Sequence, residues 1–313
     1  MDITADAVPC LSDYTISEQV LEDSKSVTYR ALQGTRAQSV LVKVLRNAHP
    51  SFEELVRFRN QYIITRQLSH PNLMPSLALE RCGKGHALVS PDEGFIPLSL
   101  YRQQHPLDIS AVLKIALQLA DMLHYLIRQR VIHKDIKPDN LFIHPDTGQI
   151  QLTDFSVASL LTKEQPQLTN PNILEGTLAY MSPEQTGRMN RGIDYRTDFY
   201  AVGVTLFELL TGELPFQATN PMELVHCHIA HTPKFPELGQ QVIPDMVEAI
   251  TQKLMAKNAE ERYQSALGLK YDLECCLQQY ERTGSITPFE IGQRDICDRF
   301  LVSEKLYGRK EEE

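Results

Sequence analysis

Short apolar runs punctuated by turn residues open the chain, and longer, nearly unbroken apolar stretches fill the rest. Residues 14–21, 27–32 and 40–45 read as three strands, the last two joined by Gln33-Gly34-Thr35-Arg36. Residues 51–68 then turn helical. Ser51 is the expected N-cap, and Glu54 three residues on completes a capping box. Residues 76–81 and 86–89 add two strands around Cys82-Gly83-Lys84-Gly85. Residues 110–130 are apolar almost all round, as befits a helix buried in a larger lobe. Two β-type runs, 141–144 and 149–152, flank Pro145-Asp146-Thr147-Gly148 and read as a hairpin. Asn220-Pro221-Met222-Glu223 opens a further helix with an N-cap, a first-turn proline and an acid at the third position. The helical pattern stops at Gly284. The expected class is α+β, with residues 1–12 a tail, about 13–90 a small β-rich lobe with one main helix, about 95–282 a mostly helical lobe, and 283–313 a linker.

The hairpin gathers chemistry. Asn140 stands just before its first strand and Asp154 just after its second. A hairpin returns to where it began, so amide and carboxylate meet at its open end. Asp135, in the loop feeding that end, brings a second carboxylate. Hard oxygen donors of this kind suit Mg²⁺, which is usually held by one or two carboxylates plus substrate phosphates.

These residues carry a resemblance. His133-Lys134-Asp135-Ile136-Lys137-Pro138-Asp139-Asn140 resembles the catalytic loop H-R-D-L-K-P-x-N of protein kinases, and Asp154-Phe155-Ser156 resembles their D-F-G. Lys43, in V-L-V-K, is similar to the strand lysine that holds the ATP phosphates. His70-Pro71-Asn72-Leu73 resembles the segment after the small-lobe helix, and Ser90-Pro91-Asp92-Glu93 falls where the adenine-binding hinge lies. Gly176-Thr177-Leu178-Ala179-Tyr180-Met181-Ser182-Pro183-Glu184 resembles the close of the activation segment. Asp198 matches the aspartate that braces the catalytic loop, and Arg262 the late arginine that pairs with Glu184. The resemblance spans about residues 13–282 and implies a bilobal protein-kinase-like fold.

It also implies transfer of the ATP γ-phosphoryl group to Ser or Thr hydroxyls of protein substrates, with ATP and Mg²⁺ as cofactors. Asp135 is then the residue that orients the hydroxyl and takes its proton; Asn140 and Asp154 hold the metal; Lys43 positions the phosphates. Lys137, in the K-P-x-N context of Ser/Thr kinases, stabilises charge on the transferred group, and Thr177 helps place the substrate loop. At the hinge, the Pro91 carbonyl and the Glu93 amide are the expected adenine contacts. Residues 175–196 and 222–229 are moreover similar to the N-terminal kinase of large bacterial signalling proteins that also carry an ATPase module and a histidine kinase. No G-x-x-x-x-G-K-[ST] follows in this chain, so such a module would be a separate partner.

Of three departures, the first two support a rival reading, a pseudokinase acting as a regulatory or docking module, and the third bears on regulation. Leu21-Glu22-Asp23-Ser24-Lys25-Ser26 stands where kinases have a glycine-rich phosphate loop, and contains no glycine. Gln61 occupies the position of the helix glutamate that pairs with the strand lysine. Lys134 replaces the arginine of H-R-D, so a phosphate in the activation segment, on Thr162 or Thr169, would meet a point charge instead of a bidentate fork.

Composition narrows the setting. A net charge of −9 over 313 residues argues against general nucleic-acid binding. Cysteines at 10, 82, 227, 275, 276 and 297 form no CxxC pair and read as reduced cytosolic thiols. His226, Cys227, His228 and His231 include no His pair at helical i, i+4 spacing, which argues against zinc. No signal peptide or bilayer-spanning run is visible, so the expected setting is cytoplasmic, away from membranes.

Overall fold

The computed structural model describes residues 13–34, 38–160, 178–189, 191–236 and 242–296. Five antiparallel strands build the small lobe: β1 (Tyr14–Glu22), β2 (Ser26–Gln33), β3 (Gln38–Leu45), β4 (Ala78–Cys82) and β5 (Gly85–Pro91), in the order β1-β2-β3-β5-β4. Successive side chains of a strand point to opposite faces. On β3 this sends Val40, Val42 and Val44 into a core with Tyr29, Ala31, Ala87 and Val89. Leu41 and Lys43 fall on the other face, beside Leu88 and Ser90 of β5. The alternation of one strand thus fixes both the core and a lysine aimed at a cavity. Burying each of those valines contributes about 1.5–3 kcal/mol.

Strand β5 runs two residues past the expected end, to Pro91. Proline is tolerated because β4 stops opposite Val89, leaving β5 paired only with β3 at that point. Helix α1 (Phe52–Thr65) opens with the expected capping box, the Ser51 and Glu54 side chains each satisfying the other's backbone amide.

Four residues link β5 to β6 (Ile96–Pro97), which pairs with the hairpin β7 (Leu141–Ile143) and β8 (Ile150–Leu152). The short helix α2 (Leu98–Gln104) was not legible in the sequence. Helix α3 (Ile109–Arg128) begins at an Asp108 cap, which accepts the Ala111 amide at 2.7 Å. Among the described helices α3 alone is long and apolar enough to cross a membrane. Its apolar residues are instead buried in the large-lobe core, among them Leu119, Ala120 and Met122 at 0% exposure. That core is shared with α4 (Arg196–Thr211), α6 (Asp245–Leu254) and α7 (Ala266–Thr283), while α5 (Pro221–Ala230) packs under the segment around Leu178.

The lobes are stitched by backbone. The Leu152 amide donates to the Asn72 carbonyl at 2.8 Å, and the Met74 amide to the Leu152 carbonyl at 3.0 Å. The Asn72 side chain adds a bond to the Ile150 carbonyl at 2.9 Å. After α7, ended by Gly284 at φ 70°, residues 285–296 form no helix or strand. They lie back along the large lobe, where Ile286, Phe289 and Ile291 pack on its core. Asp295 accepts the amides of Gln264 and Ser265 at 2.8 and 2.7 Å.

The cysteines depart from the uniform expectation. Cys227, Cys275 and Cys276 are free, whereas Cys82 is disulfide-bonded. Among the described residues no three His, Cys, Asp or Glu side chains cluster as they would around a metal ion.

Candidate active site

Loop geometry comes first, because backbone sets every functional side chain here. Among the described residues, Lys134 and Asp154 are two of three non-glycine residues with positive φ, at 69° and 60°. Such conformations cost of order 1–3 kcal/mol and persist only where the surroundings impose them. At Lys134 the agent is Asp198, whose carboxylate accepts the amides of His133 and Lys134, both at 2.8 Å. Burial holds the Asp198 pKa above its ordinary value, against the pull of His133 and the two amides. At Asp154 the side chain turns back to accept the Ser156 amide at 3.3 Å.

His133 is fully buried, its ring edge-on to Phe155 with centroids 4.6 Å apart. Its Nδ1 accepts the Asp135 amide, so the proton belongs on Nε2, which donates to the Thr153 carbonyl at 2.9 Å. Burial lowers its pKa. The histidine thereby ties the loop before β7 to the segment after β8.

Asp135 is held by one oxygen. Its Oδ2 accepts from Lys137 Nζ at 3.0 Å and from Asn140 Nδ2 at 2.9 Å. Its Oδ1 is buried and has no hydrogen-bond partner among the described residues. Burial raises the Asp135 pKa; the neighbouring Lys137 ammonium opposes the rise and Asp154 adds to it. Lys137, half-buried, has its pKa raised by Asp135 against the effect of burial. Asn140 also donates from Nδ2 to the Asp135 carbonyl at 2.8 Å. With its nitrogen so engaged, its Oδ1 has no hydrogen-bond partner among the described residues.

Lys43, Gln61, Asn140 and Asp154 line one cavity between the lobes. Leu21 and Leu41 face it from the small-lobe sheet, Met74 and Phe142 from below, and Ser90 stands at the rear. Apolar side chains among charged and polar ones are the usual lining of a ligand cleft. Pro91 and Glu93 follow Ser90 but are not part of its lining. The Glu93 amide has no hydrogen-bond partner among the described residues. Thr177, Thr162 and Thr169 lie outside the described residues.

Lys43 Nζ binds Asp154 Oδ2 at 3.0 Å. Burial would raise the Asp154 pKa, but Lys43 and the Ser156 amide more than reverse this and hold it well below the ordinary range. Gln61, although buried, contributes nothing to that lysine: its Oε1 has no partner among the described residues. No lysine–amide hydrogen bond therefore forms among them at the position of the helix glutamate.

Two residues escaped the sequence reading. Asp92 locks the inter-lobe link, accepting from Arg30 Nε at 2.7 Å and Ser39 Oγ at 2.6 Å. Gln185 reaches the Lys134 carbonyl at 3.0 Å and ties the segment after Ser182 to the catalytic-type loop. Neither lies in a motif with a spacing to find it by. The Glu184–Arg262 pair, in contrast, is where the pattern placed it, at 2.6 and 2.8 Å with the arginine fully buried.

A family model described as "Protein kinase domain" matches residues 14–272. The probable serine/threonine-protein kinase CPE1738 of Clostridium perfringens is 28% identical over 263 residues, covering 83% of this chain and 38% of that protein. Serine/threonine-protein kinase Pkn1 of Myxococcus xanthus is 30% identical over 250 residues, covering 79% of this chain and 36% of Pkn1. Hybrid signal transduction histidine kinase G of Dictyostelium discoideum is 29% identical over 293 residues, which is 66% of this chain and 8% of that protein. The chain thus spans well under two thirds of the length of these relatives. Two lobes joined at Asp92, a lysine facing an aspartate across the cavity and a match over most of the sequence lead to one assignment: the chain belongs to the protein kinase family.

Proposed function

We propose that the chain is a serine/threonine protein kinase, carrying the γ-phosphoryl group of ATP to a protein hydroxyl. The observation that supports this best is Asp135: a buried carboxylate with one oxygen pinned by Lys137 and Asn140 and the other without a partner. An unpaired buried acceptor is costly unless something is meant to meet it. A substrate hydroxyl donating to Oδ1 satisfies it. As the hydroxyl oxygen bonds to the γ-phosphorus and the bridge to ADP breaks, its proton passes to Asp135. Lys137, already at Oδ2, lies close enough to screen the transferred group. Lys43 positions the phosphates, the apolar lining takes the adenine, and Pro91 and Glu93 offer backbone groups at its rim.

The donor set fits a hard divalent cation. Asn140 Oδ1 and the Asp154 carboxylate are both oxygen donors, and two protein ligands leave the remaining positions for phosphates and water, as Mg²⁺ prefers. Bound there, Mg²⁺ would offset charge on the phosphates. Asp154 keeps its charge at any working pH, and Asn140 is oriented by Asp135 without depending on the metal.

The test is phosphotransfer from Mg²⁺-ATP to a generic basic protein substrate, with Asp135→Ala as control. We expect transfer by the parent and none by the variant; equal rates would overturn the role of Asp135. Because burial raises the Asp135 pKa, the acid limb of kcat against pH is expected above the ordinary aspartate range. In Lys137→Met, which removes an opposing charge, the limb should move further up. An unmoved limb would detach Asp135 from the proton transfer.

Gln61→Glu bears on the pseudokinase reading. It would give Lys43 a second carboxylate and free Asp154 for the cation. At this partly accessible lysine, 17% exposed, the gain is about 1 kcal/mol, or severalfold in kcat/KM for ATP, and should vanish in a Lys43→Met background. A loss of activity would show that α1 is held by other means. The relatives are named as serine/threonine kinases and one as a hybrid histidine kinase, which supports a signalling role beside a larger partner.

A further inference from the structure

The turn between β1 and β2 closes on itself in an unexpected way. Asp23 Oδ1 accepts the amides of Lys25 at 2.6 Å and Ser26 at 2.8 Å, and Oδ2 accepts from Ser26 Oγ at 2.7 Å. The Asp23 amide in turn donates to the Ser26 carbonyl at 3.0 Å. The carboxylate does here what a bound phosphate oxygen would do, taking the donors of a tight turn. Glu22, the other acid, is drawn aside to Arg46 at 3.1 Å. Arg46 also reaches the Asp23 carbonyl at 3.3 Å, so its charge is engaged outside the cavity.

Asp23 belongs to the cavity lining, together with Lys43 and Asp154. Those three formal charges sum to −1, and the lysine is already paired with Asp154. A polyphosphate entering without a cation therefore meets occupied amides, a net negative charge and an engaged ammonium. A nucleoside carries no charge to be repelled, and Leu21, Leu41, Met74 and Phe142 offer it apolar contacts in the same cavity.

Resting on the nucleotide reading above, we propose that Asp23 is a specificity-determining residue. By taking the phosphate's place in the β1–β2 turn, it makes the cavity refuse nucleoside polyphosphates unless a divalent cation accompanies them. The two contributions are separable. Asp23→Asn keeps an oxygen for the turn amides and removes the charge. Asp23→Ala removes the charge and also frees the amides. Asp23 is exposed, so neither substitution opens a core.

The experiment is calorimetric titration of the full chain and both variants with adenosine, ADP and ATP, each in EDTA and in excess Mg²⁺. Adenosine should bind parent and variants equally. In EDTA, ADP and ATP should bind both variants tighter by about tenfold, Asp23→Ala more than Asp23→Asn, since one negative charge that no cation offsets is removed. In Mg²⁺ the gain should shrink to about threefold or less. Added salt should narrow the difference between parent and Asp23→Asn. Unchanged ADP and ATP affinity in EDTA, or equal tightening of adenosine, would overturn the proposal. If adenosine binds and metal-free ADP affinity is unchanged, this inference falls alone. If no ligand binds the parent or either variant, it falls together with the nucleotide reading.

Discussion

Asp154→Asn is expected to reduce phosphotransfer at least about a hundredfold while leaving a cooperatively folded protein, since removing one such electrostatic contact typically costs 2.7–4 kcal/mol of transition-state stabilisation. The amide can still accept from Lys43 and from the Ser156 amide, so the local backbone has what it needs to stay at φ 60°. What disappears is the charge. Thermal melting monitored by circular dichroism, run beside a radiolabel transfer assay, separates the two effects. Parental activity in Asp154→Asn would sink the metal assignment. A collapsed melting transition would instead show that the Lys43 ammonium cannot stay in the cavity without its counter-charge.

Arg262→Ala should be the most damaging substitution for stability. The guanidinium, 0% exposed, bonds both Glu184 oxygens and the carbonyls of Ala256, Arg196 and Lys257. Truncation strands a buried carboxylate, a loss of about 3–5 kcal/mol. In a domain of this size, that lowers Tm by roughly 10 °C. Glu184→Gln tests the charge alone. Burial would raise the Glu184 pKa, but Arg262 overcomes it and holds the value below the ordinary one. A depressed carboxylate pKa contributes stability that is present above the unfolded value, about 4.3, and is lost as pH falls through the folded value. The parent should therefore lose stability below about pH 4.3 more steeply than Glu184→Gln does. Parallel acid limbs would mean that the pair contributes little.

What the sequence disclosed and what it withheld divide along physical lines. Motifs whose chemistry forces a spacing were readable: Asn140 and Asp154 at the two ends of a hairpin, Glu184 awaiting Arg262, Asp198 facing the loop amides. The strands of the small lobe were readable too, because Val40, Val42 and Val44 alternate with Leu41 and Lys43. Contacts that depend on two lobes meeting left no local trace. Asp92 is one polar residue in a linker until Arg30 and Ser39 arrive from β2 and β3. Helix α2 is too short for a period to be visible, and its start at Pro97 reads equally as a loop. For Gln61, counting gave the right address, buried in the cavity, but not the choice Lys43 makes between neighbours. That choice is decided by charge, and Asp154 offers one.

The clasp formed by Asp295 alters what counts as the folding unit. The family match stops at residue 272, inside α7, yet the Asp272 carboxylate there accepts both the Tyr263 hydroxyl and the Gly292 amide, at 2.6 and 2.7 Å. Gly268 permits the clasp, because a Cβ there would come within 2.6 Å of the Asp295 backbone. Gln264, whose amide Asp295 holds, also bonds Arg196 at 2.9 Å and the Arg262 carbonyl at 2.7 Å. Expression of the matched segment alone would delete the second half of α7 and uncover this ladder of contacts one step from the Glu184 pair. A recombinant fragment ended at that boundary would be prone to aggregate, and its silence in an assay would be mistaken for a dead enzyme.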